Sequence, residues 1–73
     1  MPSLIYKVII HSPALLVYRQ SLYEVEQYVD GISRRLASGP WRVLPTSGGW
    51  IIERIDMKMV GHVQALSDEV AQL

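Results

Sequence analysis

Seventy-three residues suffice for one domain spanning 1–73 and leave no room for a second. Hydrophobic residues make up 49% of the chain and charged ones 19%, against a usual charged share of ~25%, and a chain near this size hides only ~60% of its unfolded surface. Seven Lys plus Arg balance seven Asp plus Glu, and cysteine is absent, which argues against a phosphate-attracting field or a polyanionic DNA mimic and excludes a disulfide framework and a thiolate metal site.

Residues 3–10, SLIYKVII, carry the β-branched and aromatic side chains of a strand, and Pro13 in the following HSP disfavours helix at Ser12. Residues 14–20, ALLVYRQ, resume that composition after a connection short enough for an antiparallel hairpin. In SLYEVEQYVDGISRRLASGP, Ser21 and Glu24 form a capping box, and Leu22, Val25, Val29, Ile32 and Leu36 recur at helical spacing. An amphipathic helix follows, with Asp30 and Arg34 one turn apart as an ion pair and Gly39 with Pro40 as its stop. Gly31 inside it weakens the helix unless close packing uses it.

Residues 41–44, WRVL, predict a short strand, PTSGG a turn, and residues 50–59, WIIERIDMKM, one long return strand. A two-residue period on that strand places Ile51, Ile55, Met57 and Met59 on the core side and Trp50, Ile52 and Arg54 on the other. Glu53 then falls among the core-side residues, which calls for a β-bulge or a partner such as Arg42 or Arg54. Beyond Gly61, Val63, Leu66, Val70 and Leu73 repeat a three-and-four spacing that predicts a second amphipathic helix, with Ser67, Asp68 and Glu69 on its wet side. The expected fold is an α+β two-layer sandwich: a four-stranded antiparallel sheet in the order β-β-α-β-β-α, both helices on one face and the other face open.

No catalytic or cofactor motif appears. His11 and His62 lie far apart in sequence with no thiolate to join them, and Met57, Met59 and His62 are a weak soft-ligand set, so no metal and no cofactor are expected. Ser47 sits in a glycine turn without a nucleophile elbow, and Trp50 follows those glycines where a phosphate loop needs lysine. The longest apolar run, ALLVY, is far too short to span a bilayer, and Lys7 interrupts the start before a signal-peptide region forms. The chain therefore reads as cytoplasmic, without a membrane partner.

Two functional expectations remain. The first is a non-enzymatic interaction module, an adaptor, inhibitor or regulatory subunit that acts by occlusion through an apolar sheet face or edge strand. Ile5, Lys7 and Ile9 on the first strand with Trp50, Ile52 and Arg54 on the fourth would form the partner surface, an apolar centre with a basic flank. Strand one is the edge singled out to extend a partner's sheet. Zero net charge removes repulsion between copies and favours a homo-oligomer. The alternative is a single-stranded nucleic-acid binder that stacks bases on Trp41 and Trp50 while Arg42 and Arg54 meet phosphates, a reading that the charge balance disfavours.

Overall fold

The computed structural model describes residues 4–37 and 39–67. In chain order these form β1 (Leu4–Ile10), β2 (Leu15–Arg19), α1 (Leu22–Arg35), β3 (Arg42–Thr46), β4 (Gly49–Glu53) and β5 (Met59–Ser67). The α+β class holds, but the expected four strands and two helices become five strands and one helix. All pairings are antiparallel, and the strand order across the sheet is β2-β1-β5-β4-β3, so strand one, expected as an edge, is paired on both sides and the edges are β2 and β3.

The helix starts as its sequence predicts. Ser21 is the N-cap and its hydroxyl accepts the Glu24 N–H at 3.2 Å, while the Glu24 carboxylate accepts the Gln20 N–H at 3.0 Å. Asp30 and Arg34 pair at 3.0 Å on the surface, and Arg34 with Arg35 lies at the negative end of the helix dipole. Val25, Val29 and Ile32 are buried, whereas Leu36 caps the last turn half-exposed and is not part of the core. A Cβ built on Gly31 meets nothing within 4 Å, so no packing contact needs this glycine. Gly31→Ala should therefore stabilise the fold by about 0.5–1 kcal/mol, read as an upward shift of the urea midpoint.

The main correction concerns residues 50–67. The expected long strand stops at Glu53, and Arg54 to Lys58 turn the chain back: the Arg54 N–H donates to the Lys58 carbonyl at 2.9 Å and the Met57 N–H to the Arg54 carbonyl at 2.9 Å. Asp56 holds this turn from within, accepting the Lys58 N–H at 3.2 Å and the Nε–H and Nη2–H of the Arg54 guanidinium. The Arg54 hydrogen bonds hold the Asp56 carboxyl below its ordinary range despite some desolvation. A carboxyl lowered on folding favours the folded turn above its unfolded pKa, and that contribution fades as pH falls through the folded value. Met57 takes a positive φ of 69° there, a position usually marked by Gly or Asn. Ile55, Met57 and Met59, expected in the core, are exposed on and beside this turn.

The expected second helix is β5 as far as Ser67; Asp68, Glu69, Val70 and Leu73 lie outside the described residues. As a strand, β5 does what a helix could not, pairing β1 on one side and β4 on the other and so joining the two hairpins into one sheet.

Register then fixes the two faces. On the face under α1, Leu15, Ile10, Gly61, Ile52 and Val43 stand in one row across the five strands, beside a second row of Val17, Val8, Val63, Trp50 and Pro45. Val8, Ile10, Ile52 and Val63 from these rows pack with Val25, Val29, Ile32 and Trp41 as the core. Gly61 allows close strand approach: a Cβ there would overlap the Ile9 carbonyl oxygen and sit 3.2 Å from the Ile10 Cα.

Candidate functional site

The opposite face carries no helix among the described residues. One row crosses it from edge to edge: Leu16 of β2, Ile9 of β1, His62 of β5, Ile51 of β4 and Leu44 of β3, each opposite the next in register. Neighbouring strands lie ~4.8 Å apart, so this row is about 19 Å long. Four of its five members are aliphatic. Beside it run Tyr18, Lys7 and Gln64, with Ile5 opposite Leu66 farther along the same two central strands. Leu16 and Tyr18 on β2 are 54% and 51% exposed, while Ile5, Ile9, Leu44, Ile51 and Leu66 are partly covered by their neighbours.

Glu53 lies toward the far corner of this face. A register shift between Ile52 and Glu53 marks a bulge, and Glu53 stands opposite Arg42, whose guanidinium donates to its carboxylate at 3.0 Å. The expected Arg42 partner is present, but Glu53 shares the helix-free face with Ile51 and not the core side. The bulge works because β5 supplies the extra residue, Val60, which packs against the core.

The six residues expected to form one partner surface are divided by the sheet. Ile5, Lys7 and Ile9 do lie on the helix-free face. Ile52 is 0% exposed in the core, and Trp50 packs on the helix side with its ring edge-on to Tyr6, 5.6 Å between centroids. Arg54 is in the turn, held by Asp56. Trp50 and Ile52 do share one side of β4 with Ile51 on the other, but the core side is that of Ile52, because β4 ends at Glu53 and Ile55, Met57 and Met59 add nothing to either of its faces. The apolar residues of β3 and β4 that do reach the helix-free face are Leu44 and Ile51.

The nucleic-acid set is divided as well. Trp41 is 8% exposed in the core, Trp50 faces α1, Arg42 is paired with Glu53 across the helix-free face, and Arg54 is paired with Asp56. No common platform joins them.

Tertiary structure also brings together two residues that sequence kept apart. The His11 and His62 rings lie 5.6 Å apart between centroids, at 60° to one another, at the end of β1 and on β5. Two imidazoles supply half of a four-ligand zinc set, and no group of three His, Cys, Asp or Glu gathers among the described residues. No helix among the described residues is long and apolar enough to cross a membrane. No protein-family model matches the chain, and neither a curated protein nor a solved structure gives a match.

Proposed function

We propose that this chain is a non-enzymatic interaction module that docks a protein partner on its helix-free sheet face and acts by occluding that partner's surface. The observation that carries this reading is the apolar row Leu16, Ile9, His62, Ile51 and Leu44, which nothing covers among the described residues. A row of aliphatic side chains on a rigid sheet supplies the desolvated centre of an interface at little cost in conformational entropy. Lys7 within the patch and the Arg42–Glu53 pair at its corner would orient the partner and contribute to encounter rate more than to affinity. An adaptor, an inhibitor and a regulatory subunit all use a face in this way.

Site-specific photocrosslinking in the native host tests the reading. A benzophenone side chain at Ile9 or Leu44 should give one or a few discrete protein adducts, while the same probe at Tyr23, exposed on α1, gives none. Equal labelling from both surfaces, or no adduct from the sheet face, would refute it.

A further inference from the structure

The two edges of the sheet are not equally protected. The His11 N–H donates to the Val60 carbonyl of β5 at 2.9 Å, and in an antiparallel ladder the direction of the backbone groups alternates with every residue. Ile9, Lys7 and Ile5 therefore also address β5, while Ile10, Val8 and Tyr6 address β2. Their register partners Leu15, Val17 and Arg19 point inward, which leaves Leu16 and Tyr18 with outward N–H and C=O groups. The Tyr18 carbonyl accepts from the Arg19 guanidinium at 2.9 Å, a contact consistent with that outward direction.

At the other edge, Thr46 and Gly49 close the two-residue turn of the β3–β4 hairpin, so Pro45 faces outward with no N–H to offer. Proline on an outward position blunts an edge against further pairing. β2 has no proline, no glycine and no lysine, and its only charge is Arg19 at its end.

We infer that β2 pairs antiparallel with β2 of a second copy of this chain, about a two-fold axis at Val17. Symmetry about Val17 sets Leu16 opposite Tyr18 of the other copy, twice, and these are the two residues whose backbone groups point outward. Four N–H···O=C bonds then close the edge, and Val17 meets its own copy as a non-hydrogen-bonded pair. Each Leu16 side chain packs against a tyrosine across the axis on the helix-free face, the aliphatic–aromatic kind of pair that stabilises sheets. The Arg19 guanidinium releases the Tyr18 carbonyl and keeps its stacking contact over Tyr28, 4.8 Å from the ring centroid. The chain carries no net charge to oppose the approach.

The contact between two five-residue strands falls below the ~1,200 Å² of a standard stable interface, which places the dimer among the weak, reversible ones. The inference goes beyond the interaction-module reading and stands independently of it, and the pairing would join two helix-free faces into one continuous ten-stranded platform.

The test uses the whole chain, made by chemical synthesis with N-methyl-leucine at position 16. This removes one outward N–H and leaves every side chain and every bond to β1 in place. Sedimentation equilibrium should show a concentration-dependent dimer for the parent and at least a tenfold weaker association for the N-methyl form, with the same thermal midpoint for both at low concentration. Register is read separately, because the chain has no cysteine of its own. Val17→Cys should form an intermolecular disulfide under mild oxidation faster than Leu16→Cys, whose counterpart across the axis is offset. A parent that stays monomeric at millimolar concentration, an N-methyl form that dimerises as well as the parent, or the reverse order of disulfide formation would overturn the inference. Photoadducts from Ile9 in the presence of a monomeric parent would leave the face reading standing while this one fell, and a dimer without such adducts would do the opposite.

Discussion

Ile52→Lys should unfold the protein, whereas Ile51→Lys, one residue away, should change its stability by less than about 1 kcal/mol. Ile52 is fully buried, with Val43 and Gly61 beside it in the sheet and α1 above it. The described core around it contains no carboxylate to receive an ammonium group. An unpaired buried charge costs several kcal/mol after relaxation, and small domains hold roughly 5 kcal/mol in total. Even Ile52→Ala should lose about 2–5 kcal/mol through lost burial and the cavity left behind. Ile51 lies on the helix-free face, and a lysine there can reach water along its own stem. Circular dichroism with urea titration of both variants reads the result. If Ile51→Lys unfolds the chain and Ile52→Lys does not, the faces of β4 are reversed and the proposed docking row with them.

Gly61→Ala should be the second costly change, at about 1–3 kcal/mol if the strands can shift and more if the pairing opens. The added methyl group would overlap the Ile9 carbonyl oxygen and press on the Ile10 Cα, and both are backbone atoms that no rotamer change can move. The site lies where β1 and β5 join the two hairpins, so strain there loosens the whole sheet. Gly31→Ala, the same chemical change on the open side of α1, should carry the opposite sign. Thermal or urea unfolding of the two variants side by side separates a glycine required by a neighbouring strand from one that no contact requires.

The elements predicted well are those whose signals are local. The Ser21–Glu24 cap, the spacing of Val25, Val29 and Ile32, and the turns around Pro13 and Gly48 each act within a few residues, and α1 and the first two hairpins follow them. The 54–58 turn was missed because its signal is unusual: Asp56 braces it with a side chain, and Met57 occupies the left-handed position where glycine would have announced a turn. The β5 segment was read as helix because Val63 and Leu66, three apart, satisfy a helical stripe as easily as they fall on opposite faces of a strand. Of the docking row, Ile9 was legible from the alternation of β1. Leu44 and Ile51 were not, because alternation shows which residues share a side without showing which side is covered. The closeness of His11 and His62 had no sequence signal, since only the β1–β5 pairing creates it.

From its sequence alone, this protein is a small α+β chain with one capped amphipathic helix, two hairpins, no net charge and an excess of apolar residues, because each of these follows from composition or from neighbours along the chain. Tertiary structure decided that the last described element is a strand, that Ile52 lies inside with Trp50 packed against the core beside it, and that the row through Ile9 and Ile51 lies on the opposite face. The reason is that a strand's partner and its covered face are set by long-range pairing: β5 completes the sheet between β1 and β4, and α1 can shield only one side of it.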